Sequence, residues 1–129
     1  MAQSNPVSRP TSVLVVEDEA LILEMMSEVL AESGFEVHAV CNARDALRCL
    51  ATDIAVDVLF TDINLPGDMD GSVLAQRARE IRPELPVVYA SGGVTTLNPF
   101  RAVPGSTFVP KPYDPTKICD MLSRLAAAH

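Results

Sequence analysis

The stretch Val58-Leu59-Phe60-Thr61-Asp62-Ile63-Asn64-Leu65-Pro66 decides how the rest of the chain is read. An apolar run ends on a carboxylate and then turns at a proline, the pattern of a buried strand that delivers one aspartate to its carboxyl end. In open α/β sheets that rim is where ligands bind. The residues that close the other strands are therefore the candidate neighbours of Asp62.

Upstream, Ser12-Val13-Leu14-Val15-Val16 is a short β-branched run that ends in Glu17-Asp18-Glu19. Leu21, Ile22, Met25, Met26, Val29 and Leu30 then recur at helical spacing, and Gly34 stands where a left-handed cap ends a helix. Glu36 to Val40 predicts a second strand. Asn42 is placed to cap a helix whose apolar face is Ala43, Ala46, Leu47 and Leu50. The opening stretch gives a third strand over 56–61, and Pro66-Gly67-Asp68-Met69-Asp70-Gly71 a turn. Leu74, Ala78 and Ile81 share one face of a helix that stops near Pro83. Pro86 to Ala90 predicts the fourth strand, followed by Ser91-Gly92-Gly93. Over 94–106 the helical pattern fails, because Pro99 and Pro104 interrupt it and no apolar stripe survives. Thr107-Phe108-Val109 is a fifth strand that meets Pro110-Lys111-Pro112. Asp114 and Pro115 open a last helix with Ile118, Met121, Leu122 and Leu125 inward.

Strands alternating with helices require right-handed crossovers and hence a parallel sheet. The predicted fold is a doubly wound, five-stranded α/β/α sandwich of flavodoxin-like topology, with an irregular helix between the fourth and fifth strands. Parallel strands put their carboxyl ends on one rim, so Glu17, Asp18, Asp62, Ser91 and Lys111 converge there. Carboxylates about 4 Å apart repel by about 4 kcal/mol at an effective dielectric near 20. Such a cluster takes up protons or binds a cation, and an all-oxygen donor set suits Mg²⁺. A carboxylate can also act as nucleophile toward a phosphoryl group. Asp62 would then attack, with Lys111 and Ser91 holding phosphoryl oxygens. Taken singly, each residue has an ordinary structural use as a turn, cap or surface group; their arrival on one rim favours a site.

Composition narrows the function classes. A chain of 129 residues, 48% hydrophobic, can bury one core without staples, while a net charge of −7 without Lys/Arg clusters excludes a nucleic-acid-binding surface. Cys41, Cys49 and Cys119 form neither a disulfide framework nor a zinc site, so they are read as reduced, buried residues of a cytoplasmic protein. Residues 1–11 are read as a flexible tail preceding a domain over 12–128. No apolar run reaches the roughly 20 residues of a membrane span. The expected oligomeric state is a monomer or weak dimer.

From Val13 to Leu125 these motifs resemble the receiver domain of two-component response regulators. The resemblance implies that Glu17 and Asp18 bind Mg²⁺, that Asp62 accepts a phosphoryl group from a histidine kinase, and that Asn64 gives its main-chain carbonyl to the metal. Ser91 matches the family's hydroxyl residue and Lys111-Pro112 its cis Lys-Pro pair, while Phe108 matches an aromatic switch residue three positions before the lysine. Some features depart from the common pattern: Glu at position 17, a turn over 67–71 that is one residue longer, and no hydroxyl on Phe108. Pro86-Val87-Val88-Tyr89-Ala90-Ser91-Gly92-Gly93 is similar to the Pro-Phe-x-Phe-Ala-Thr-Gly-Gly pattern of a subgroup whose fourth helix is degenerate.

The implied function is that of a single-domain response regulator that signals by conformational change or relays its phosphoryl group to a downstream protein or phosphotransfer domain. It assists its own phosphorylation and dephosphorylation and is not otherwise an enzyme. Competing readings are a phosphorylation-independent adapter, a phosphatase resembling haloacid dehalogenases, and a flavodoxin-like cofactor module. The second lacks the acid that those enzymes carry where this chain has Asn64; the third lacks glycines after the first strand.

Overall fold

The computed structural model describes residues 9–92 and 102–127. Strands β1 (Ser12–Val16), β2 (Glu36–Val40), β3 (Val58–Asp62), β4 (Val87–Gly92) and β5 (Thr107–Lys111) alternate with helices α1 (Ala20–Glu32), α2 (Ala43–Leu50) and α3 (Gly71–Ile81); α4 (Pro115–Ala127) follows β5. The sheet is wholly parallel, in the order β2-β1-β3-β4-β5. That order reverses direction at β1 and β3, which opens a crevice beyond their carboxyl ends.

Each central strand is buried on both faces, because helices cover both sides. Leu14, Val16, Leu59, Val87 and Tyr89 pack toward α2 and α3, against Ala46, Leu50, Leu74 and Ala78. Val13, Val15, Phe60, Val88 and Val109 pack toward α1 and α4, against Met26, Leu30, Ile118 and Leu122. Alternate residues of a strand point to opposite faces, so one apolar run serves two cores.

The expected caps are present. Asn42 accepts from the Asp45 amide at 2.7 Å, Asp114 accepts from the Thr116 amide at 2.9 Å, and Gly34 takes the left-handed φ of +96° that ends α1. Several expectations shift. β3 runs over 58–62 rather than 56–61, and β4 and β5 extend by pairing Ser91 with Pro110 and Gly92 with Lys111. Asp62, Ser91 and Lys111 thus lie within strands, whose ladders fix their backbones. Of the apolar residues on α1, Leu21 is 81% and Met25 43% exposed, so that helix carries a second apolar flank that the core does not use. Ile81 is likewise exposed at the end of α3. The three cysteines are free, but only Cys119 is buried; Cys41 is exposed where β2 ends.

Most of the tail expected over 1–11 lies outside the described residues. Its last part is held to the sheet: the Arg9 guanidinium grips both carboxylate oxygens of Asp57, and the Thr11 carbonyl accepts from the Glu36 amide. The irregular stretch expected over 94–106 also lies largely outside the described residues. Its end, from Ala102, returns Val103 to the core beside Tyr89.

Candidate functional site

Asp62 is the last residue of β3 and is only 7% exposed. Its Oδ1 accepts the Asn64 amide at 3.2 Å, and its Oδ2 accepts from Lys111 Nζ at 3.1 Å. Lys111 closes β5, and its ammonium also donates to Glu17 Oε1 at 3.0 Å. Glu17 follows β1 and is 4% exposed; its second oxygen, Oε2, accepts the Glu19 amide at 3.0 Å. One ammonium therefore stands between two buried carboxylates delivered by two neighbouring strands.

Burial pushes the Glu17 carboxyl above its ordinary value, against the Glu19 amide and Lys111, which favour its charge. Burial also works against the Lys111 charge, but its bonds to Glu17 and Asp62 prevail and push that ammonium up to about 12. Lys111 is thus a fixed positive charge. Glu17 gains less, because its own burial and the nearby Asp62 oppose the same ion pair.

Asp18 is exposed beside them, and carboxylate oxygens of Glu17, Asp18 and Asp62 all lie within 4.8 Å of one another. Three acids against one lysine leave a local excess of negative charge. The donors are all oxygen, two are buried and one opens to solvent, which fits a hard cation that keeps some of its water, as Mg²⁺ does.

Ser91 stands on β4, next to β3, and is 6% exposed with no partner for its hydroxyl oxygen. A buried hydroxyl without a hydrogen bond is uncommon and marks a place where a ligand atom can be accepted. Phe108 lies away from this centre, 44% exposed, with its ring stacked on Tyr89 at 5.0 Å between centroids. The Lys111-Pro112 peptide is cis. The structure therefore brings Glu17, Asp18, Asp62 and Lys111 together, sets Ser91 on the adjacent strand, and holds Phe108 at a distance.

Two residues escaped the reading of the sequence. Gly71 looked like a turn residue but is the first residue of α3, where its amide donates to the Ile63 carbonyl at 2.8 Å. A Cβ there would meet the Asp62 carbonyl oxygen and lie 2.8 Å from Ile63 Cα. Glycine is what lets α3 press against the backbone of the central aspartate. Asp70 caps the same helix, its Oδ1 accepting from the Ser72 and Val73 amides and the Ser72 hydroxyl. An Asp standing just before the apolar-periodic residues of the helix, which begin at Val73 and Leu74, was the available signal.

Comparison with known proteins agrees with this geometry. Residues 13–123 match the response regulator receiver domain. The chain is 29% identical over 118 residues to the DNA-binding transcriptional regulator NtrC of Rhizobium meliloti, covering 90% of this chain and 24% of that protein. It is 34% identical over 116 residues to the response regulator protein FleR of Pseudomonas aeruginosa, covering 88% and 24%. The chain thus spans about a quarter of the length of these relatives. A response regulator receiver protein from Sinorhizobium medicae superposes with a TM-score of 0.85 at 33% identity, covering 92% of this chain and 96% of that one. With strand order, acidic rim and sequence match in agreement, the chain belongs to the response regulator receiver domain family.

Proposed function

We propose that Asp62 accepts a phosphoryl group from a phosphohistidine of a histidine kinase and that the chain passes on this signal through a conformational change or onward phosphotransfer. The observation that carries the reading is the ion-paired trio of buried Asp62 and Glu17 with the half-buried Lys111, beside the unpartnered Ser91 hydroxyl on the next strand. In the reaction an Asp62 carboxylate oxygen bonds to phosphorus and the phosphorus–nitrogen bond of the donor breaks. The freed imidazole nitrogen keeps the electron pair and takes a proton.

Each residue has a defined task. The Asn64 amide and Lys111 hold the Asp62 carboxylate in one orientation. Lys111 then shifts an N–H toward a phosphoryl oxygen, and the Ser91 hydroxyl donates to another. Glu17, Asp18, Asp62 and the Asn64 carbonyl would hold Mg²⁺, whose charge offsets the carboxylates and the phosphoryl oxygens.

A kinase partner is supported by the apolar flank of α1. Leu21 and Met25 are exposed, and a cleft lined by Ile22, Met25, Pro112 and Tyr113 reaches Lys111 itself. A partner helix seated there would bring its histidine next to Asp62. A stretch matching this chain also occurs in the sensor histidine kinase RcsC of Salmonella typhimurium, 34% identical over 76 residues. The downstream target would be a protein or phosphotransfer domain that recognises the phosphorylated receiver domain. We assign the chain to the Pro-Phe-x-Phe-Ala-Thr-Gly-Gly subgroup on the sequence stretch Pro86 to Gly93, with Ser91 and Phe108 as its switch residues.

The test is incubation with Mg²⁺ and acetyl phosphate, read by mass spectrometry. One added phosphoryl mass is expected, absent after chelation and absent in Asp62→Asn. A gain that persists in Asp62→Asn overturns the assignment, and multiple turnover of a simple phosphate ester would make the chain a phosphatase instead. Leu21→Asp should slow transfer from a phosphorylated kinase while leaving acetyl phosphate uptake unchanged.

A further inference from the structure

Tyr89 occupies a position where the subgroup pattern has phenylalanine, and its hydroxyl has a specific use. The side chain is fully buried on β4, two residues before Ser91 and on the same face of the strand. A phenol in a core needs a partner for its oxygen, because an unsatisfied one costs about 1–3 kcal/mol. Here that oxygen accepts the Val103 amide at 3.2 Å, and Val103 is itself buried, so each group satisfies the other. Burial accordingly pushes the Tyr89 hydroxyl above its ordinary pKa and keeps it neutral.

The same ring touches the candidate switch. Tyr89 pairs in register with Phe108, and Ser91 pairs with Pro110; the Ala90–Val109 pair lies between them, so the two pairs are alternate rungs of one ladder on the same face. The Tyr89 and Phe108 rings stack at 5.0 Å with 29° between their planes. On the far side of Val103, the Arg79 guanidinium of α3 donates to the Pro104 carbonyl at 2.9 Å and to the Leu85 carbonyl at 2.6 Å. The backbone at Val103 and Pro104 is therefore gripped by Tyr89 from the sheet and by Arg79 from α3.

We propose that Tyr89 is a positioning residue that transmits the state of the Ser91 and Phe108 rungs to the backbone at Val103, through its stacked ring and its hydroxyl. The proposal rests on phosphorylation of Asp62. Ser91 has no hydrogen bond to lose, so its hydroxyl turns toward a phosphoryl oxygen at little cost. Phe108, nearly half exposed, gains burial if its ring turns inward from the surface. Tyr89 then loses its stacking partner, tilts, and loosens its hold on the Val103 amide. The adjoining Pro104 carbonyl, held by Arg79, carries that change to α3. The hydroxyl is the part that phenylalanine at position 89 would lack.

The experiment uses the full chain with Mg²⁺ and beryllofluoride as the phosphoryl mimic. Fluorine NMR reports occupancy of Asp62, and hydrogen exchange reports the Val103 amide. In the wild-type chain, exchange at Val103 should accelerate about tenfold when the fluorine signal appears, the change expected for loss of one hydrogen bond. In Tyr89→Phe the fluorine signal should be unchanged, whereas Val103 should already exchange about tenfold faster without the mimic and respond no further. Phe108→Leu, which keeps the hydroxyl but removes the stack, should also blunt the response at Val103. The relay is overturned if Val103 fails to respond in the wild type despite a clear fluorine signal, or responds equally in Tyr89→Phe. Absence of any fluorine signal in the wild type would instead overturn the phosphoacceptor reading, and the relay with it.

Discussion

Strand β3 carries an aspartate at each end, and the two keep different company. Asp57, just before the strand, is satisfied: Arg9 grips both its oxygens at 2.6 and 2.9 Å, and the Ser12 amide donates at 2.8 Å. Asp62, at the other end, shares a single lysine with Glu17 and lies close to Asp18. Asp57 is also a quarter exposed, whereas Asp62 is buried. The same residue type therefore does opposite work at the two ends of one strand. At the amino end it fastens the chain entering the sheet. At the carboxyl end an excess of buried negative charge leaves room for a cation and an electrophile, and binding them relieves repulsion that folding alone left in place.

The largest way to break the contrast is to push on the backbone that holds Asp62. Gly71→Ala drives a Cβ into the Asp62 carbonyl oxygen and toward Ile63 Cα, contacts that only a shift of α3 can relieve. A loss of about 3 kcal/mol in urea unfolding is expected, the upper end for overpacking, together with reduced phosphoryl uptake. Loss of stability without loss of uptake would mean that α3 moves while Asp62 stays in place.

Removing the shared cation comes next. Lys111→Met leaves Glu17 and Asp62 buried without a counter-charge; since Lys111 is itself 19% exposed, water screens part of the cost. About 2 kcal/mol is expected, less than for a fully buried pair. Adding Glu17→Gln should recover part of it. In contrast, Asp62→Asn should cost almost no stability, because it removes one attraction together with two repulsions. A loss of more than about 1 kcal/mol in Asp62→Asn would refute the charge-excess account of the rim.

Divalent cations act on the same imbalance. Mg²⁺ at ten times its dissociation constant should stabilise the wild-type chain by about 1.4 kcal/mol, read as a thermal shift that chelation reverses. Asp18→Asn should reduce the shift, and Asp57→Asn should leave it intact. Equal loss in both variants would indicate general ionic screening rather than a site.

The two ends also differed in how legible they were. The carboxyl rim could be read because β-branched runs end on polar residues at Glu17, Asp62, Ser91 and Lys111, and a parallel sheet collects such endings. The alternation of strands and helices along the chain and the caps at Asn42 and Asp114 followed from periodicity and turn chemistry. The Arg9 pairing with Asp57 could not be read, since it joins residues 48 positions apart and no pattern predicts a long-range surface contact. Gly71 was hidden for a related reason: the need for glycine comes from the backbone of β3, not from its own neighbours in sequence. On α1, periodicity alone could not separate Met26 and Leu30, which face the core, from Leu21 and Met25, which face solvent. Both sets have helical spacing, and only the position of the sheet chooses between them.

The smallest effect lies at the satisfied end. Arg9 is about half exposed, so the pair with Asp57 should contribute only about 0.5 kcal/mol despite its two-pronged geometry. Its pH dependence has a definite sign. The hydrogen bond from Arg9 holds the Asp57 carboxyl below its ordinary value, so the folded chain gives up this proton more readily than the unfolded chain. The contribution is therefore complete above about pH 4, the ordinary aspartate value, and fades as the pH falls through the lowered value of Asp57. Arg9→Ala should accordingly lower stability slightly at neutral pH and converge with the wild type in strong acid, whereas salt should shrink the difference at neutral pH. A difference that persists unchanged at low pH would show that Arg9 acts by packing its aliphatic stem on the sheet edge, and the amino end would then be held by burial rather than by charge.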